Sequence, residues 1–244
     1  MLFLQNAISN LREAAAIFLP VKCLCCGESC GKIVCDKCDG KTVAVTPPYC
    51  GLCGRPLPPG VRFADDCSEC RDGTPLDSCR SPFVYAPPVD ELVKHFKFNG
   101  NYAAGDYLLK AALARAEADR ELFALFPECD AIVPVPLHPI RRIRRGFNQS
   151  EHIARGFSRL WGMPVSKSLA RLRNTPPQSK LSKQERMRNV SGAFAVRKSS
   201  DARGKKVILV DDVMTTGSTM KECARILKEG GAAEVHGLTL ARRV

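Results

Sequence analysis

The sequence predicts an α/β domain, with a mostly parallel sheet and flanking helices, preceded by a small cysteine-rich module. Three features carry that prediction. From residue 80 onward, short apolar runs alternate with longer stretches of helical periodicity, the pattern of strands joined by crossover helices. One run, Val207–Val210, is apolar at every position, as a strand covered on both faces requires. Residues 23–79 instead hold eleven of the thirteen cysteines, with many glycines and prolines and no long apolar run. Such a segment cannot build an ordinary core and needs a staple.

Taken in order, residues 1–22 predict a short amphipathic helix, because Leu4, Ile8, Leu11, Ala15 and Leu19 recur at helical spacing before Pro20. Arg12 and Glu13 interrupt this stretch and no basic region precedes an apolar core, so it does not read as a secretion signal. Residues 23–79 form the cysteine-rich module and residues 80–244 the α/β domain. Within the latter, Phe83–Ala86 predicts a short strand, Val89–Phe98 a helix, and Tyr102–Ala118 a longer helix rich in alanine and leucine. Ala131–Val135 predicts a buried strand entering a proline-rich turn. Ser150–Trp161 predicts a helix with Ile153, Phe157, Leu160 and Trp161 on its apolar face. The strand Val207–Val210 leads to a helix over Ser218–Glu229, which Gly230 and Gly231 stop, and Glu234–Leu240 is the last strand.

Composition sets outer limits. Hydrophobic residues make up 45% and charged residues 25%, ordinary for a soluble globular chain. No apolar stretch approaches the roughly 20 residues a membrane span needs. The net charge of +12 is concentrated: Leu137–Arg188 holds 13 Lys/Arg against 2 Asp/Glu, and the rest of the chain is nearly balanced. A localised basic excess points to a polyanion, either nucleic acid or a phosphate-rich ligand.

The stretch Lys206–Thr219, KVILVDDVMTTGST, carries the chemistry. Ligands of open α/β sheets bind beyond the carboxyl ends of strands, where Asp211 and Asp212 stand. The turn Thr215, Thr216, Gly217, Ser218 and Thr219 then opens a helix, whose free N–H groups and dipole favour a phosphate. Gly217 allows close backbone approach, and two adjacent carboxylates suit the vicinal hydroxyls of a ribose. Together these describe a ribose phosphate site. The stretch closely resembles the motif by which type I phosphoribosyltransferases bind 5-phosphoribosyl 1-diphosphate (PRPP): four hydrophobic residues, two acids, then T-T-G-x-T.

The cysteines fall in four C-x-x-C pairs, Cys23/Cys26, Cys35/Cys38, Cys50/Cys53 and Cys67/Cys70. The first and third are followed by glycine, a turn that points backbone N–H groups at the sulfurs. Two pairs make a tetrahedral four-cysteine zinc site, so the module reads as a tandem double zinc ribbon with two structural zinc ions. Consecutive pairing is the simplest assignment, and interleaved pairing stays open. Cys25 and Cys30 crowd the first site. Cys79, Cys129 and Cys223 read as plain buried thiols. The absence of an export signal and the C-x-x-C spacing favour metal binding in a reducing cytoplasm over disulfides.

Two basic segments complete the inventory. Ile132–Gln149 delivers a loop with His138, Arg141, Arg142, Arg144 and Arg145, followed by Asn148 and Gln149. Arg171–Val190 is polar and proline-broken, reads as loop, and contains Arg171, Gln178, Ser179 and Lys180. Both segments can supply guanidinium groups to a diphosphate or track a nucleic-acid backbone. His138 reads equally as a loop-positioning side chain or a ligand contact, and Phe147 as core or as a base-stacking platform.

These motifs, with VPVPLH at Val133–His138, RGFNQ at Arg145–Gln149 and TPPQS at Thr175–Ser179, make the chain similar to the ComF (ComFC) family of bacterial competence proteins over nearly its full length. The resemblance implies a type I phosphoribosyltransferase fold behind an N-terminal double zinc ribbon and a cytoplasmic role in taking up transforming DNA. It also implies binding of single-stranded DNA and PRPP, and other competence proteins as partners. Lys180 stands where relatives commonly have glycine. For an active enzyme it implies Mg²⁺ bridging diphosphate and ribose hydroxyls, Asp211 and Asp212 on those hydroxyls, Thr215–Thr219 on the 5-phosphate, and basic groups on the departing diphosphate. No base pocket is legible. A DNA-handling protein with a PRPP site and a catalytic phosphoribosyltransferase are therefore the two readings, and the basic excess and double ribbon favour the first.

Overall fold

The computed structural model describes residues 21–58, 67–71, 73–98, 100–176, 182–197 and 200–244. The helix expected at the N-terminus lies, but for its last two positions, outside them.

Strands β1 (Ser78–Arg80), β2 (Phe83–Val84), β3 (Ala131–Pro134), β6 (Lys206–Met214) and β7 (Glu234–Arg242) form one sheet. Its order is β1-β7-β6-β3, with β2 also on β7, and every pairing is parallel. A short antiparallel ribbon, β4 (Leu169–Arg171) with β5 (Phe194–Val196), stands apart from it. The central strands are buried on both faces, and their side chains alternate between two clusters. Ile132, Ile208, Val210 and Leu238 meet α2 (Val89–Phe98), α3 (Tyr102–Ala118) and α5 (Gln149–Trp161) through Leu92, Phe96, Leu108, Ile153 and Phe157. Val133, Val207, Leu209 and Val235 meet α7 (Ser218–Glu229) through Met220, Cys223 and Leu227.

The cysteine-rich segment is divided between these clusters. Cys23, Val34, Cys35 and Cys38, with the one-turn helix α1 (Asp36–Asp39), pack into the first. Cys50, Cys53, Cys67, Cys70 and Leu76 pack into the second. The edge strand β1 starts at Ser78, so the sheet takes its first strand from the end of the cysteine-rich stretch.

Three stretches differ from the sequence expectation. The loop expected after Pro136 contains a helix, α4 (Pro139–Arg145). His138 caps it, Pro139 opens it, and Gly146 closes it at φ 82°. No residue of α4 is buried, so there was no apolar periodicity to find. The stretch expected as loop over Arg171–Val190 ends in α6 (Lys183–Val190), which starts on a reciprocal capping box between Ser182 and Glu185. Strand β6 runs four residues past the apolar stretch, because β7 is equally long and keeps pairing with it as far as Met214 and Arg242.

Helices α2 and α3 pack closely because Gly105 lets the Phe96 ring lie against the α3 backbone, where a Cβ would overlap that ring. Gly105→Ala raises helix propensity by about 1 kcal/mol, but overpacking costs roughly 1–3 kcal/mol. Urea unfolding is expected to show a net loss of stability; a stabilised variant contradicts this packing.

Candidate functional site: a basic cleft at the strand ends

The carboxyl ends of β3 and β6 open into a cleft of about 740 Å³. The strand pairing sets its floor: Pro134 lies beside Val210, so Val135 and Asp211 emerge together. Among the described residues, Lys97, Arg141, Arg144, Arg145, Arg171, Arg186 and Arg243 line the cleft, against two acids, Asp211 and Asp212. Such a surface favours a polyanion.

The loop after β6 passes through Thr215 and Thr216 to Gly217, at φ 72°, a left-handed conformation that favours glycine. The N-cap position of the helix that follows is Gly217, which has no side chain to cap it, and the helix dipole there favours an anion. Thr215, Gly217, Ser218 and Thr219 line the cleft. Thr216 lines an adjoining hollow, and its hydroxyl lies 2.9 Å from that of Ser218.

The two acids have different surroundings. Asp212 is buried and takes both of its oxygens to Lys97 Nζ, at 2.9 and 2.8 Å. Asp211 accepts from the Ser150 hydroxyl at 2.9 Å and from the Asp212 backbone N–H. Burial, then the charge of Asp212, pushes the Asp211 carboxyl up to about 6, with Lys97 acting against both. Burial alone would lower Lys97, but the charges of Asp212 and Asp211 outweigh it and hold the ammonium above its usual range.

The arginines crowd one another. Burial and then Arg144 hold Arg141 below its usual range; burial and then Arg141 do the same to Arg171. Arg145 is lowered by burial, partly offset by Asp212. Each stays charged, so the shifts reflect mainly burial and in smaller part mutual repulsion, both of which an entering anion offsets. Hydrogen bonds hold them in place. Arg141 donates to Asn174 Oδ1 at 3.1 Å and to the Thr175 carbonyl; Arg171 donates to the Thr175 hydroxyl at 2.7 Å; Arg145 donates to Gln149 Oε1 at 2.7 Å. The Gln149 amide nitrogen is buried in the cleft wall without a partner among the described residues.

Not every expected residue faces the cleft. His138 accepts from the Ile140 N–H and caps α4, the positioning role. Arg142 pairs with Glu151 at 3.2 Å and is not part of the lining. Asn148 lines the cleft while capping α5 and donating to the Val135 carbonyl at 3.0 Å. Phe147 is core, stacked between Phe96 and Tyr102. Gln178, Ser179 and Lys180 lie outside the described residues. Lys97, Ser150 and Arg243 were not anticipated, and Arg186 only as part of the basic segment Arg171–Val190. Nor was Phe98, which is 70% exposed, lines the cleft and has the Arg145 guanidinium 5.8 Å from its ring centre. Arg186 donates to the Thr215 hydroxyl at 3.2 Å.

The eight paired cysteines gather in consecutive sets: Cys23, Cys26, Cys35 and Cys38, then Cys50, Cys53, Cys67 and Cys70. Within each set all four sulfurs lie within 4.8 Å of one another. Sulfur pairs at 3.8 Å (Cys26, Cys35), 3.9 Å (Cys50, Cys70) and 3.6 Å (Cys53, Cys67) fit a tetrahedron with ~2.3 Å metal–sulfur bonds, whose edges are about 3.8 Å. Backbone N–H groups of Cys35 and Cys53 point at the sulfurs of Cys23 and Cys50. Cys25 stays outside the first set, its thiol pushed up to about 12 by burial and the neighbouring Cys23. Cys79, Cys129 and Cys223 are buried thiols. Among the described residues no helix is long and apolar enough to cross a membrane.

The chain is similar to known proteins over most of its length. The phosphoribosyl transferase domain model matches residues 130–244. The chain is 34% identical to competence protein F of Haemophilus influenzae, covering 80% of this chain and 85% of that one. It is 33% identical to competence protein ComFC of Bacillus subtilis, covering 86% and 84% respectively. It is 35% identical to the DNA utilization protein YhgH of Escherichia coli K12, covering 80% and 83%.

The Asp211 environment has a measurable consequence. The unfolded chain ionises this group near pH 4, before the folded one does near 6. The native state therefore gives up stability as pH rises from about 4 through about 6, by at most ~3 kcal/mol. Asp211→Asn keeps the acceptor for Ser150 without the charge. It is expected to match the parent at pH 4 and exceed it by about 1–3 kcal/mol at pH 7 in urea unfolding; equal stability at both pH values contradicts the assignment.

Proposed function

The chain belongs to the ComF family of competence proteins, and from that membership we propose that it binds single-stranded DNA and a PRPP-like ribose phosphate and acts in DNA uptake. The observation that carries this reading is the turn Thr215–Thr219, with Gly217 at the helix start, opening into a cleft that has seven cations and two carboxylates among the described residues. The turn holds the 5-phosphate, and Asp211 and Asp212 accept from the ribose hydroxyls. Lys97 orients Asp212 for that task through their ion pair. Arg141, Arg144, Arg145 and Arg171 take the diphosphate, whose charge removes the repulsion among them. Asp211 and Asp212 are hard oxygen donors suited to Mg²⁺, which when bound neutralises part of the ligand's charge. The two cysteine sets hold structural zinc, with a full thiolate shell and no open position. The reduced thiols accord with a cytoplasmic protein.

The cationic lining exceeds the needs of one diphosphate, which supports a second anionic ligand. Phe98 offers an open aromatic face beside Arg145 at the same cleft. An exposed ring among cations is the arrangement that binds single strands without reading their sequence. Other competence proteins are further partners on this reading. The intact acid pair also favours a second reading, transfer of the phosphoribosyl group to a nucleobase-like acceptor. Diphosphate release from PRPP across a panel of bases, absent in Asp212→Asn, would establish it.

Two binding measurements test the proposal. Calorimetry with PRPP and Mg²⁺ is expected to give one site per chain, weakened at least about tenfold in Asp212→Asn, since the interaction lost is a charged hydrogen bond worth ~1.5–3 kcal/mol. No heat of binding to the zinc-loaded parent sinks the ribose phosphate assignment. With oligo(dT), Phe98→Ala is expected to weaken binding by about 5- to 150-fold, because base stacking contributes ~1–3 kcal/mol. The same variant leaves an abasic oligonucleotide of equal charge unaffected. Equal affinity of the parent for both oligonucleotides refutes base stacking at Phe98.

A further inference from the structure

Arg242 ends β7, directly beside Met214, the last residue of β6. Its side chain is 1% exposed, yet it makes no ion pair with a carboxylate among the described residues. Burying a guanidinium without a counter-charge is strongly unfavourable. Its contacts show where the compensation lies. Nη1 donates to the Cys53 carbonyl, and Nη2 lies 3.4 Å from the Cys53 sulfur. Four thiolates around one divalent cation leave a net charge of about −2, so the loaded second cysteine set supplies the anion that Arg242 lacks.

The other side of Arg242 leads to the phosphate turn. Nη1 also lies 3.3 Å from the Met214 thioether, which the Cys79 thiol approaches at 3.2 Å. The Met214 terminal methyl packs under Gly217, 2.8 Å from where a Cβ would stand. The Arg243 N–H donates to the Met214 carbonyl at 2.9 Å. A second tether closes the far end of the turn: Lys221, in the first turn of α7, donates to the carbonyl of Glu69, between Cys67 and Cys70, at 2.8 Å. The residues before and after Thr215–Thr219 are thus both fastened to the same metal-binding module.

We infer that Arg242 is a positioning residue through which metal at Cys50, Cys53, Cys67 and Cys70 sets the conformation of the Thr215–Thr219 turn. With the site loaded, the thiolate charge holds Arg242, Arg242 holds Met214, and Met214 supports Gly217. With the site empty, the metal no longer fixes the four sulfurs, the contacts of Cys53 with Arg242 loosen, and the support under the turn moves. By linkage, whatever anion the turn binds tightens metal binding at the second set and leaves the first set alone. The choice of that anion rests on the ribose phosphate reading; the coupling of metal to turn does not.

Hydrogen exchange with mass spectrometry on the full zinc-loaded chain tests the coupling without any ligand. The readout is the peptide spanning Met214–Lys221, with the β3 peptide as the monitor of global unfolding. Cys53→Ser and Arg242→Gln are each expected to speed exchange of the turn at least about fivefold, the low end of site–site coupling. Combining them should add little. Cys26→Ser, at the first cysteine set, should leave the turn at the parental rate, and Arg242→Lys, which keeps the charge, should recover part of the protection. Parental exchange of the turn in Arg242→Gln overturns the inference, as does a Cys26→Ser effect equal to that of Cys53→Ser. If a variant exposes β3 as well, the milder Arg242→Lys decides: an unchanged turn overturns the coupling. Failure of PRPP to bind the parent would remove the ribose phosphate reading while leaving this comparison intact.

Discussion

The parallel ladder between β6 and β7 is the constraint on which the site depends. The two strands pair from Lys206 beside Glu234 to Met214 beside Arg242. Had pairing stopped with the apolar residues at Val210, Asp211 and Asp212 would sit on a free loop. Instead they are held in the ladder, with Asp211 beside Thr239. The turn then begins at a defined point, and its helix is anchored on the sheet by Met220, Cys223 and Leu227. The same ladder carries Arg242 into the second cysteine set. One run of backbone hydrogen bonds thus positions acids, turn and metal module together.

The electrostatics around this ladder are unfavourable in the free protein. Asp211 is held charged near neutral pH against burial and against Asp212. Arg141, Arg145 and Arg171 are all lowered by burial, and Arg141 presses on the other two. A structure optimised only for stability would not keep two adjacent acids and a crowd of arginines at one strand end. Sites that bind charged ligands commonly hold such strain, and the ribose phosphate proposed above would relieve both parts of it. The double cysteine module fits this picture as a brace, since its halves pack into the clusters on opposite faces of the sheet.

Much of this was legible in the sequence. Val89–Phe98, Tyr102–Ala118 and Ser218–Glu229 are helices over the residues that their periodicity indicated. The cysteine spacing anticipated two four-cysteine sets, and only the structure decided between consecutive and interleaved pairing. What escaped has physical reasons. Lys97 reaches Asp212 across 115 residues of chain, and nothing local marks it. Helix α4 has no buried face, so its arginines read as loop. The continuation of β6 depends on the length of its neighbour, which apolar runs do not reveal. Phe98 and Phe147 look alike in sequence, but one is exposed in the cleft and the other is packed in the core.

The central claim is that the turn after β6 is the phosphate-binding element of a ribose phosphate site. A crystal structure of the zinc-loaded chain grown with PRPP and Mg²⁺ tests it most directly. The account predicts the 5-phosphate against the backbone of Thr215–Thr219, the ribose hydroxyls at Asp211 and Asp212, and the diphosphate among Arg141, Arg145 and Arg171. Diphosphate seated on the outer arginines of α4 with the turn empty, or no bound ligand at saturating concentration, would contradict it.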